Sequence, residues 1–265
     1  MSATATTVSS GRAPVLNPAF AGRLAAPGPR FTLLPALAAW GLLLLLPAAN
    51  FDLQICATPP ATPTAAFGQA WAVSLAGLHP PAALAEWALM VLAMMLPLMV
   101  AETGQIAARV YRRSRTGVVL TYLSGYLGAW LLAGPLVILL TLAARAGLQS
   151  VAGPAVSPLP ALGAGALWMI SPLRLRLLAR GHYRPVIAAG GHRALKDAAR
   201  AGAGKAGFCL LTCLPLMVAM QAAGGGPAGM ALLTVLLIAE RRTARPAPQG
   251  SAMVLIFFGF YAVLV

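Results

Sequence analysis

The chain is short of acid. Five Asp and Glu residues accompany nineteen Lys and Arg, and charged residues of both signs make up only 9% of the sequence. A soluble domain carries about a quarter, so a surface that faces water on all sides is excluded. Cysteine and histidine are also scarce, at three each. Three cysteines cannot build a disulfide framework, and no pair among Cys56, Cys209 and Cys213 has zinc-finger spacing. The His-Glu-x-x-His and Gly-x-Ser-x-Gly motifs and the Walker A loop are missing, and no dinucleotide fingerprint stands in the strand-to-helix setting that it needs. No histidine falls within an apolar segment, so a membrane-embedded serine has no base beside it and bis-histidine haem ligation is unavailable. An enzyme is therefore not expected, nor ATP-driven pumping by this chain alone. The net charge of +14 reflects acid depletion, not a basic stripe interleaved with aromatics, and nucleic acid is not an expected partner.

What the chain does have is apolar length. Residues 1–30, rich in Ala, Pro, Ser, Thr and Gly, read as a disordered cytoplasmic tail. Apolar segments follow at 31–50, 83–101, 117–143, 154–171, 206–223, 226–239 and 252–265, the last two being short. About 20 residues span a bilayer as a helix, and a helix satisfies its own backbone in lipid. The expected fold is all-α: a polytopic integral membrane helix bundle of about seven transmembrane helices over residues 31–265, with the lipid bilayer as its first partner. A basic start and Ala48-Ala49 would allow the first segment to be a signal peptide, but its length favours a retained helix.

The bases set the topology. Three Lys or Arg lie in the tail, four in 102–116, eight in 172–205 and three in 240–251, so alternate loops hold eighteen of the nineteen. Positive charge stays inside, which puts the N-terminus in the cytoplasm. It makes 51–82 an extracytoplasmic loop and 172–205 a basic cytoplasmic one, whose bland role is headgroup contact. Arg145 is the exception.

Two stripes could carry chemistry. The second segment holds Met90, Met94, Met95 and Met99 between Glu86 and Glu102. At 100° per residue Glu86, Met90 and Met94 fall within about 80° of one another, with Met95 and Met99 opposite. Pro97 is expected to kink this helix. Thioethers suit Cu(I), and also fill irregular gaps between helices; an intramembrane carboxylate is a functional candidate by default. In the fifth segment Cys209, Cys213, Met217 and Met220 share one face within about 80°. Two thiols and two thioethers in line suit a soft monovalent metal, although buried cysteine is also an ordinary small apolar residue. The stripe positions suggest that the two segments meet across Met94 and Cys213. His182 and His192, in the basic loop, are weaker candidates.

Trp87-Ala-Leu-Met90-Val-Leu-Ala-Met94-Met95-Leu-Pro97 resembles the Trp-x-x-Met-x-x-Ala-Met-Met-x-Pro signature of bacterial predicted metal-binding integral membrane proteins, the domain of unknown function 2182 family. Further matches follow in order: Gly125-Tyr126-Leu127 with Trp130, Ser171-Pro172-Leu173-Arg174, Cys209-Leu210 with Cys213, Leu216-Met217, Met230, and Glu240-Arg241. The resemblance covers roughly 83–242. It implies a metal-binding protein of the bacterial inner membrane, linked to copper delivery to a polyphenol-oxidase type of enzyme. The chain departs from the family at Leu177, Gly181 and Thr212, where cysteines are expected. The expected function is handling of Cu(I), or its delivery to a client copper enzyme, through Met and Cys ligands: Glu86, Met90, Met94 and Met95 with Cys209, Cys213, Met217 and Met220. The alternatives are a structural or assembly subunit of a membrane complex that has lost its ligands, and a transporter subunit using Glu86.

Overall fold

The computed structural model describes residues 27–48, 67–156, 158–181, 186–242 and 248–264. Most of the expected tail, with Cys56 and His182, lies outside the described residues. Among the described residues every element is a helix: α1 (Pro27–Ala48), α2 (Phe67–Ala76), α3 (Pro80–Leu98), α4 (Val100–Arg109), α5 (Arg115–Val156), α6 (Pro158–Ile170), α7 (Pro172–Gly181), α8 (Gly191–Ala222), α9 (Gly226–Arg242) and α10 (Pro248–Leu264). The all-α expectation holds, and helices account for the greater part of each of the seven apolar segments, 83–101 and 154–171 each being divided between two helices.

Pro80–Leu98, Arg115–Leu148 and Gly191–Ala222 are long and apolar enough to cross a membrane. Large apolar side chains also point outward along α1 and α5, among them Leu34, Leu37, Leu45, Leu132 and Leu136. Water-soluble monomers rarely expose apolar surface so extensively.

Three helices fall where the sequence reads as loop. In α4 the residues Thr103, Ile106 and Ala107 recur at helical spacing and are buried, a short amphipathic pattern hidden beside the longer apolar run. The Ser171 hydroxyl accepts the Arg174 amide at 3.1 Å and Pro172 opens the first turn, so α7 carries a Ser N-cap followed by Pro. Helix α2 packs its Ala70 inward against the bundle, while Phe67 and Trp71 stack at 6.4 Å. The kink expected at Pro97 is a full break: α3 stops at Leu98, Met99 forms a turn, and α4 sets off from Val100.

Packing is closest between α5 and α8. Gly125 lies on the Ala199 carbonyl and Gly202 on the Tyr122 carbonyl, each so near that a Cβ would overlap the oxygen. Small residues let membrane helices approach in this way. Helix α3 is enclosed on both faces: Glu86, Trp87, Met90, Met94 and Met95 are all buried. Trp87 lies over Gly134 of α5 and donates its indole N–H to the Trp130 carbonyl at 3.1 Å. Pro135 cannot complete the helical ladder there, and an indole from the neighbouring helix lies against the opened turn. The α8–α9 reversal uses Gly224 and Gly226 at φ 68 and 57, where a side chain would be strained.

Arg145, the base outside the charge alternation, is also accounted for. It is buried, and its Nε and Nη2 donate to the Gln221 carbonyl at 3.0 and 2.7 Å, near the C-terminus of α8. Its position answers to packing and the helix end, not to the membrane surface.

Candidate metal centre

Cys209 and Cys213 are one turn apart on α8, and their sulfurs are 3.6 Å from each other. Met95 of α3 brings its Sδ to 3.9 Å from the Cys209 Sγ. All three residues are at most 2% exposed. A trigonal metal with bonds of about 2.3 Å holds its sulfurs about 4 Å apart, so these spacings are close to those of a sulfur site for a soft ion. Two donors address Cys209 from other helices: the Tyr126 hydroxyl at 3.2 Å from α5, and Arg241 Nη2 at 3.3 Å from α9. Such a pair suits a sulfur bearing negative charge, as a metal-bound thiolate does. Thr212 Oγ1 lies 3.6 Å from the Cys213 sulfur.

Buried polar contacts hold this arrangement. Arg174 is fully buried and forms a fork with Glu240, Nη1 to Oε1 at 2.9 Å and Nη2 to Oε2 at 2.6 Å. Two further donors go to backbone, Nη1 to the Met169 carbonyl and Nε to that of Thr212. The pair ties α7 to α9 and so positions Arg241, the next residue, over Cys209. Pro215 interrupts α8 one turn beyond Thr212, whose carbonyl also accepts the Trp168 indole at 3.1 Å.

A cleft of about 570 Å³ leads to Cys209, with Glu102, Arg109, Tyr122, Leu177, Arg200 and Arg241 among its walls. Leu177 and Thr212 both line it. These are two of the positions where the family resemblance leads one to expect thiols.

A second polar layer lies about 18 Å further along α8, twelve residues at 1.5 Å each. There Gln221 donates Nε2 to the Met90 sulfur at 3.0 Å and accepts from Thr141 at 2.8 Å. Glu86, one turn from Met90, is buried. Met220 packs its sulfur against Gly225 and Gly229 in the α8–α9 reversal. Met94 and Met217 are buried on α3 and α8 at levels between the two layers. The sulfur contact between α3 and α8 is thus Met95 with Cys209; Met90 and Met220 stand well away from it. His192 is exposed at the start of α8. Among the described residues no three His, Cys, Asp or Glu side chains converge, so the candidate centre is two thiols and a thioether.

A protein-family model described as a copper chaperone, PpoB2, matches residues 84–265, the greater part of the chain. The chain belongs to this copper-chaperone family. No curated protein and no solved structure matches it.

Family membership bears out the resemblance drawn from the motifs, and the match runs past residue 242 to take in α10. Within the fold the motifs meet in space. Trp87 reaches Trp130, Arg174 reaches Glu240, and Tyr126 and Arg241 converge on Cys209. Tyr126 and Arg241 are the site residues that sequence reasoning missed. Both stand in matched motifs, but nothing in one dimension assigns them to Cys209.

Proposed function

We propose that this chaperone binds Cu(I) at Cys209, Cys213 and Met95 and hands it on to a client copper enzyme. The observation that carries the reading is the trio of buried sulfurs, 3.6 and 3.9 Å apart, with a guanidinium 3.3 Å from one of them. Two thiolates and one Cu(I) leave a single negative charge, which Arg241 offsets; a buried charge needs such a partner. Soft sulfur ligands hold a monovalent ion without water, as an apolar bundle requires. Onward movement follows the α8 stripe by ligand exchange, from Cys213 to Met217 and towards Met220 and Met90, each helical turn advancing about 5.4 Å. Met94 flanks that path, and Glu86 with Gln221 closes it at the far layer.

The bundle is read as seven crossings over residues 31–265, with a cytoplasmic N-terminus, in the bacterial inner membrane. The outward leucines of α1 and α5 and the alternation of bases support this topology. The cleft then opens on the cytoplasmic side.

The test is copper content per chain, by elemental mass spectrometry, on purified protein loaded with Cu(I). At least one copper per wild-type chain is expected, lost in the Cys209→Ser/Cys213→Ser double variant. No copper in the wild type, or equal copper in the variant, overturns the proposal and favours an assembly subunit that keeps only the scaffold.

A further inference from the structure

The cleft beside Cys209 carries more positive charge than the sulfur site needs. Arg109, Arg200, Lys205 and Arg241 line it, against the single carboxylate of Glu102. That carboxylate is already engaged, by Lys205 at 2.5 Å and by the Tyr122 hydroxyl at 3.0 Å. Arg109 and Arg200 are exposed at its mouth, and neither takes part in an ion pair among the described residues. Deeper in, Arg241 gives Nη2 to Cys209 while its Nη1 is buried with no hydrogen-bond partner. A concave, basic site that ends at a sulfur is built for an anion that brings something to that sulfur.

We propose that the cleft binds a small, carboxylate-bearing thiol as its Cu(I) complex and is the port through which this chaperone is loaded. The proposal rests on the copper reading of Cys209. Size favours a small carrier: about 570 Å³ lies within the roughly 300–1,000 Å³ of small-molecule sites. Cys209, 2% exposed, lies too deep for the surface of a folded protein to touch. In the transfer step the bond from copper to the carrier sulfur breaks as the bond to Cys209 Sγ forms. The Cys209 proton passes to the departing thiolate, the Cys213 proton is released to solvent in the cleft as that sulfur joins the metal, and copper stays Cu(I) throughout. Arg109 and Arg200 hold the carrier's carboxylates at the mouth.

The probe is S-methylglutathione, which keeps the charges of a carboxylate-bearing thiol but has no thiol to exchange. Calorimetry on the full chain in zwitterionic lipid nanodiscs should register binding. Binding should weaken at least tenfold in Arg109→Gln/Arg200→Gln, two exposed positions where folding is not at stake, and should fall with added salt. The double variant should also accept copper at least tenfold more slowly from Cu(I)–glutathione, yet at the wild-type rate from Cu(I)–acetonitrile. No binding to the wild type, or equal binding to the variant, overturns the proposal. Displacement of the probe by phosphatidylglycerol in the disc would assign the arginines to lipid headgroups and overturn it equally. Probe binding without copper uptake from either donor would instead refute the copper site.

Discussion

Replacing Glu240 tests how the centre is held together. Arg174 is 0% exposed, and among the described residues Glu240 is its only acidic partner, through both carboxylate oxygens at 2.6 and 2.9 Å. Removing one member of a buried ion pair strands the other and costs about 3–5 kcal/mol. Glu240→Leu should reach that range, whereas Glu240→Gln, which retains one acceptor, should lie near its lower end. Removing both charges, in Arg174→Met/Glu240→Leu, no longer strands the guanidinium that Glu240→Leu leaves behind. The Thr212 carbonyl keeps its bond from Trp168, so the main residual loss is the Met169 carbonyl contact, about 1–2 kcal/mol. The double variant should therefore be more stable than Glu240→Leu by roughly 2 kcal/mol. Reversible unfolding in mixed micelles with increasing SDS measures all four proteins. Copper retention adds a second reading, because a displaced α9 carries Arg241 away from Cys209. Glu240→Leu within about 1 kcal/mol of wild type, or a double variant no better than the single, would refute the reasoning.

Met95→Leu conserves volume and should cost less than about 1.5 kcal/mol of stability, yet weaken Cu(I) binding about tenfold in competition with a chromophoric chelator. Gly202→Val drives a side chain into the Tyr122 carbonyl; thermal unfolding should show a loss of at least about 1–3 kcal/mol, with copper binding impaired because α5 carries Tyr126. Arg145→Met deprives the Gln221 carbonyl of two bonds and should cost about 1–3 kcal/mol while leaving copper stoichiometry unchanged, since the polar layer it serves is remote from Cys209.

Much of the helical framework was legible because hydrocarbon length is a one-dimensional signal. The seven runs announce themselves, whereas α2, α4 and α7 do not: they are ten residues each and mix polar with apolar positions. Helix α8 starts at Gly191, far ahead of the apolar run at 206, because the Ala-rich basic stretch before it packs on α5 through Gly202. Composition alone reads such a stretch as loop. The Cys209–Cys213 pair was legible for a similar reason, since spacing within one helix fixes proximity. Its partners were not. Met95, Tyr126 and Arg241 reach Cys209 from three other helices, and which faces meet is decided by glycines that admit close backbone contact. Met95 stands about 100° round its helix from Met94 and off the stripe of Glu86, Met90 and Met94, a distinction that loses force once both faces of α3 are enclosed.

The interlocked backbones of α5 and α8 also decide what can move. With Gly125 seated on Ala199 and Gly202 on Tyr122, sliding either helix along the other would press the side chains beside those glycines onto the carbonyls. These two helices therefore act as one rigid rod, and the Cys209–Tyr126 contact is fixed within it. The Met99 turn changes the direction of the chain there: Pro97 precedes it, and a single residue separates α3 from α4. Glu102 then ties α4 to both members of the rod, by Lys205 of α8 and by the Tyr122 hydroxyl of α5, while Thr103, Ile106 and Ala107 stay buried, so the wall of the cleft is fixed to the same frame as the sulfurs.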